Sequence, residues 1–106
     1  MLKFVVVLYK RPDFAEEQFA KYMCEVHGPM AERLPGLTGY VQNFPLQDPK
    51  RKHPGWNAVI ELFFADWDAM ENAWRSPQGT AATADLKEFV DLDRSTWSVV
   101  DERRIR

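Results

Sequence analysis

His27 and Glu61 are the residues most able to do chemistry, because each is a titratable group where the surrounding pattern calls for something else. His27 stands in "CEVHGPM", at the end of an apolar helical stripe and directly before a Gly-Pro pair. An imidazole, with its ordinary pKa of about 6.5, gives and takes protons at neutral pH. At the C-terminus of a helix the dipole favours its charged form, and its simpler role there is to cap the last carbonyls. Glu61 lies in "NAVIELFF", among Val, Ile, Leu and Phe. A carboxylate in such a run is costly unless it is paired or exposed. Inside a pocket its pKa rises and it becomes a general acid or base; across a sheet it pairs instead with Lys3 or Arg94. Asn43, near the end of "TGYVQNFPL", is the third expected catalytic residue. Its amide can orient a substrate carbonyl or bond to His27, or simply close a strand end. Tyr9 and Tyr40 bracket two strand candidates and offer hydroxyls to a pocket. Phe63 and Trp67 are expected to supply its aromatic wall, with core or interface as their alternative.

Other reactive combinations fit poorly. Cys24 and His27 are three apart on one helix, but a lone helical cysteine is usually a small core residue rather than a nucleophile. His27 and His53 are the only histidines and nothing resembles a metal-ligand motif, so no metal site is expected. The five glycines are scattered singly, without a phosphate loop or dinucleotide fingerprint, and no cofactor is expected.

The 106 residues suit one domain spanning 1–106. A formal charge of −2 with no block of like charges argues against nucleic acid and acidic membrane surfaces as partners. No apolar run approaches the roughly 18 residues of a membrane span. A single cysteine fits a reducing, cytoplasmic location.

Residues 2–9, "LKFVVVLY", read as a strand ending at Lys10-Arg11-Pro12. Asp13 resembles an N-cap, with Glu16 completing a capping box. Phe19, Tyr22, Met23 and Val26 form one helical stripe, which Gly28 as a left-handed C-cap and Pro29 are expected to end. A short helical piece, "MAERL", precedes Pro35-Gly36. "TGYVQNFPL" and "NAVIELFF" are strands on either side of the polar, basic loop "QDPKRKHPG". Asp66 caps a helix carrying Trp67, Met70 and Trp74 on one side and ending at Ser76-Pro77. "TAATADLKEFVDL" is a further helix with Leu86, Phe89 and Val90 on one face, and "RSTWSVVDE" is the last strand.

The order is β-α-β-β-α-β: an α+β, ferredoxin-like plan with a four-stranded antiparallel sheet and helices on one face. In "NAVIELFF" the face of Ala58, Ile60, Leu62 and Phe64 suits the helices. The face of Asn57, Val59, Glu61 and Phe63 is half apolar and needs cover, which a second copy packed sheet to sheet provides. A homodimer is therefore expected.

These residues also resemble a known family. "YKRPDFAEEQFAKYMCEVHGPMAERLPGLTGYVQN", "IELFFADWDAMENAWRSPQGTAATADLKEFVDL" and the closing "VVDE" are similar to the EthD-like family of the dimeric α+β barrel superfamily, over nearly the whole chain. The His27-Gly28-Pro29 and Leu34-Pro35-Gly36-Leu37 units and the run from Glu61 to Asp66 carry the likeness together. The resemblance implies two ferredoxin-like subunits paired through their sheets, each with a pocket between sheet and helices. Superfamily relatives include cofactor-free isomerases, polyketide cyclases, monooxygenases of aromatic polyketides and haem-degrading enzymes, so the fold does not choose a reaction. The expected function is that of a small cofactor-independent enzyme, oxidoreductase- or isomerase-like, acting on a small hydrophobic oxygenated or aromatic compound in catabolism. The alternative is a non-catalytic protein of a degradation pathway that binds or hands over such a molecule.

Overall fold

Alternation of apolar side chains sets the sheet. In the computed structural model, which describes residues 1–106, four strands form: β1 (Leu2–Leu8), β2 (Leu37–Asn43), β3 (Ala58–Phe64) and β4 (Thr96–Val100). Their order is β2-β3-β1-β4 and every pairing is antiparallel, as the split βαβ plan requires. The register places Val6 opposite Ile60 and Trp97, and Leu62 opposite Phe4 and Tyr40. Since side chains alternate across a strand, these share one face, and Ala58, Ile60, Leu62 and Phe64 are buried there under the helices. The opposite face carries Lys3, Val5, Val7, Val41, Asn43, Val59, Glu61 and Phe63 and has no cover within the chain.

The helical layer consists of α1 (Glu16–Tyr22), a wide turn (Met23–His27), α2 (Gly28–Glu32), α3 (Trp67–Arg75) and α4 (Pro77–Asp85). The expected break at Gly28-Pro29 does not occur. Gly28 is right-handed, with φ of −54° and ψ of −51°, and its N–H bonds to the Met23 carbonyl, five residues back. Proline has no N–H, and its ring collides with the carbonyl four residues before it; widening one turn to i→i+5 accommodates both and lets the helix run on. A Cβ on Gly28 would stand 2.8 Å from the Met23 oxygen, so the close turn needs glycine. The extra residue in the turn also shifts the helical phase. His27 joins Phe19 and Met23 on the buried face, while Val26, expected in the stripe, is 43 % exposed.

Other boundaries move for local reasons. Ala15, not Asp13, caps α1, and Gln18 Oε1 accepts the Ala15 N–H at 3.3 Å. The Asp13 carboxylate instead accepts two bonds from Arg11. Asp66 caps α3 as expected, accepting from the Ala69 N–H at 2.8 Å, but the buried residues of that helix are Met70 and Ala73; Trp67 points outward. Ser76 both ends α3 and caps α4, accepting the Gly79 N–H at 3.0 Å with Pro77 in the first turn. A Cβ on Gly79 would lie 2.1 Å from the Ala73 carbonyl oxygen, so α3 and α4 meet where only glycine fits. The last helix therefore starts and ends earlier than expected: α4 gives way to a tight turn at Leu86–Glu88, and Phe89 and Val90 enter the core from non-helical backbone.

Candidate functional site

Between the helical face of the sheet and the helices lies a cavity of about 450 Å³, the size of a small-molecule site. Phe4, Val6 and Leu8 of β1, Ile60 and Leu62 of β3 and Tyr40 of β2 form its floor. Met23 and His27 come from the wide turn, Ala31 from α2, Trp74 from α3, and Ala82 and Thr83 from α4. The two lining residues that face solvent are Thr83 and Trp97, so the mouth lies between α4 and the edge strand β4. No Asp, Glu, Lys or Arg lines it.

His27 is the one titratable base in this wall, and it is 7 % exposed. Its Nδ1 lies 3.0 Å from Asp85 Oδ2, and the other carboxylate oxygen accepts the Tyr22 hydroxyl at 2.7 Å. A carboxylate has no proton to give, so Nδ1 carries the hydrogen and Nε2 holds a free lone pair. Nε2 has no protein partner and is not sealed, and His27 lines the cavity, so Nε2 is the ring nitrogen left for a ligand there. Burial holds the imidazole below its usual pKa, against the opposing pull of Asp85. The expected charging of His27 at a helix end is thus overturned: the helical backbone continues past it, and desolvation wins. Burial, then the Asp85 carboxylate, push the Tyr22 hydroxyl up to about 12. Phe89 packs against the rings of Tyr22 at 4.5 Å and His27 at 5.2 Å and fixes the pair from behind.

The other expected site residues divide between two faces. Glu61 and Asn43 are together, but on the far side of the sheet from His27. Asn43 Nδ2 donates to Glu61 Oε2 at 3.1 Å and to the Val59 carbonyl at 2.9 Å. Glu61 pairs with Lys3 at 2.5 Å, and Lys3 reaches Glu102 at 2.9 Å. The bond from Lys3, then that from Asn43, hold Glu61 below the usual carboxylate range, the reverse of the rise a pocket would cause. Glu61 and Asn43 therefore do not meet His27. Strand alternation explains this, since Glu61 is odd-numbered in a strand whose even residues face the helices. Phe63 shares that far face, with Lys3 Nζ 5.5 Å from its ring centre and Gly39 beneath it. Tyr9 lies under Arg94, 4.3 Å from the guanidinium, outside the cavity; Trp67 is outside it as well. Tyr40 alone of the four expected lining residues is in the wall. Its hydroxyl accepts from Gln42 Nε2 at 2.9 Å, and burial raises its pKa.

Cys24 is exposed, its thiol 3.6 Å from Gln42 Oε1, and does not join His27. His53 Nε2 sits 2.7 Å from Glu16, tying the long loop to α1. Nowhere do three His, Cys, Asp or Glu side chains converge as metal ligands would. Sequence reasoning missed Asp85 and Tyr22. One signal was available: a carboxylate at the C-terminus of a helix of small residues opposes the dipole and implies a partner elsewhere.

The fold has relatives among solved structures. An EthD family protein of Bacillus halodurans superposes with a TM-score of 0.80 at 20 % identity, over 97 % of this chain and 100 % of that one. A dimeric protein of unknown function with a ferredoxin-like fold from Bacteroides fragilis gives 0.66 at 20 % identity, over 97 % and 95 %. SnoaB, a cofactor-independent oxygenase from Streptomyces nogalater, gives 0.66 at 16 % identity, over 97 % and 93 %. At these identities the likeness is one of fold. No curated protein sequence matches the chain. No helix is long and apolar enough to cross a membrane. The sequence pattern of the EthD domain matches residues 11–93, well over half the chain, and the protein belongs to the EthD domain family.

Proposed function

We propose that the chain is a small-molecule enzyme in which His27, set by Asp85, moves a proton on a largely apolar oxygenated or aromatic compound held in the cavity. The observation that carries this is an imidazole in the wall of an otherwise uncharged apolar cavity, with its Nδ1 3.0 Å from the Asp85 carboxylate, which leaves Nε2 as the ring nitrogen free to act as a base. In this reading Nε2 takes a proton from an acidic C–H or O–H of the substrate. Asp85 stabilises the imidazolium that forms, and the apolar wall keeps water from competing. The electron pair left on the substrate can be reprotonated at a second carbon, an isomerisation, or pass to dioxygen, an oxygenation. The fold likeness to a cofactor-independent oxygenase is compatible with the second and does not choose between them.

Glu61, Asn43 and Phe63 take a different part in this proposal. With Val5, Val7 and Val59 they make the face on which a second copy sits, giving a homodimer whose two cavities lie outside the shared sheet interface. The Lys3–Glu61–Asn43 network then lies within that interface.

A direct test is hydrogen exchange of β-tetralone in deuterium oxide, followed by proton magnetic resonance. Exchange well above the buffer rate is expected for the wild type. It should be lost in His27→Ala and kept in Glu61→Gln. Probe binding without faster exchange would instead favour a protein that only binds or hands over its ligand, and equal exchange in wild type and His27→Ala would remove His27 as the base.

A further inference from the structure

We propose that the cavity selects an uncharged ligand that donates a hydroxyl hydrogen to His27 Nε2, and that Asp85, held in place by Tyr22, sets this direction. The inference rests on the reading of the cavity as the ligand site and adds what the ligand must present there. Three observations carry it. Asp85 faces Nδ1 at 3.0 Å, which leaves Nε2 as an acceptor. Asp85 is itself held from its other oxygen by the Tyr22 hydroxyl at 2.7 Å, so the carboxylate cannot turn away. The cavity wall contains no cation to receive an anionic ligand. A carboxylate or phosphate would be stripped of water opposite a lone pair, with the Asp85 charge behind it. An ammonium would also lose its hydration, and the one carboxylate nearby is already engaged by Tyr22 and His27. An ether presents only lone pairs to a lone pair. A neutral hydroxyl satisfies Nε2 without burying a charge.

Tyr22 makes the inference testable, because its hydroxyl fixes which end of an amide would face His27. In Asp85→Asn the amide oxygen remains the natural acceptor for the Tyr22 hydroxyl, which turns the NH2 group toward Nδ1. Nδ1 must then accept, the ring hydrogen moves to Nε2, and the cavity's polar atom becomes a donor. The preference among ligands should therefore invert, an effect that loss of packing alone does not produce.

The experiment measures binding of four matched probes to the whole protein by intrinsic tryptophan fluorescence: β-naphthol, its methyl ether, β-naphthoate and β-naphthylmethylammonium. Wild type is expected to bind the naphthol about two- to tenfold more tightly than the ether, the usual range for one net hydrogen bond. Both ions should bind more weakly than the naphthol. His27→Ala should bind naphthol and ether alike, and Asp85→Asn should prefer the ether. In Tyr22→Phe the carboxylate still fixes the Nδ1 hydrogen, so the naphthol preference should persist. In the double variant Tyr22→Phe/Asp85→Asn the amide is free to turn, and the inversion should shrink or vanish. Equal binding of naphthol and ether by wild type, tightest binding of either ion, or an unchanged preference in a folded Asp85→Asn would each overturn the inference. If β-tetralone exchange still depends on His27 in that event, the proton-transfer reading stands and only the ligand class falls. If no probe binds and no exchange occurs, both fall.

Discussion

In the proposed reaction the neutral imidazole is the working form of His27, which ties that chemistry to pH with a definite sign. Burial lowers its pKa from 6.5, and the titratable groups facing it are Asp85 from α4 and Tyr22 from α1. Proton abstraction should hold steady through neutral pH and fall only as pH drops below 6.5 through the folded-state value. Tyr22 adds no second limb until about 12. Stability should follow the same direction: the unfolded chain takes up the proton near 6.5 and the folded chain later, so acid in that window favours unfolding. A pH series of urea unfolding checks this, since His27→Phe should flatten the slope below 6.5. Glu61 provides the contrast. Because it lies across the sheet, Glu61→Gln should change probe binding in the cavity by less than about twofold. At this scale the sequence was partly legible. His27 is conspicuous because a polar ring stands at the end of an apolar stripe. Its partner Asp85 is 58 residues away and was not, because only the packing of α4 against α2 and the wide turn brings them together. Glu61 stood out as a carboxylate in an apolar run, which left catalysis and pairing both open; the expected place beside His27 is not where it lies, and its pairing with Lys3 is the option that its strand parity selects.

The helices position this chemistry through a few close contacts, and these should dominate the mutational response. Gly79→Ala would place a Cβ 2.1 Å from the Ala73 carbonyl, against backbone that cannot yield cheaply. A loss of more than about 3 kcal/mol, or failure to fold, is expected by thermal or urea unfolding. Ser76→Ala removes the hydroxyl that receives the Gly79 N–H and should cost about 1 kcal/mol by the same assay. Phe89→Ala should cost about 3–5 kcal/mol, because that ring is fully buried against Phe19, Tyr22 and His27. Strands and the Asp66 cap could be read directly from alternation and end signals. The passage of the helix through Gly28-Pro29 could not, because those residues ordinarily spell termination. A helix whose next segment packs well on the sheet keeps going by widening one turn, and tertiary contact decides that.

At the scale of the whole molecule, one sheet face is covered by helices and the other by nothing in the chain. The homodimer proposed above accounts for Val5, Val7, Val59 and Phe63 on that bare face and for the ion network beside them. Placing a charge on it, in Val59→Lys, should turn the dimer into a monomer in sedimentation velocity while the β-naphthol affinity of each cavity stays within about threefold; an unchanged sedimentation coefficient would remove this face as the interface. The fold class followed from the order of elements and the parity of β3, both local properties. The cavity did not, since its walls come from seven separate segments and its volume depends on how they pack.

The claim on which the rest depends is the protonation pattern of His27, and long-range proton–nitrogen correlation spectroscopy across a pH titration reads it directly. Only His53 competes for assignment, and His53→Gln resolves it. A protonated Nδ1, an unprotonated Nε2 and a midpoint below 6.5 are the expected result. A hydrogen on Nε2, or a midpoint at or above 6.5, would contradict it.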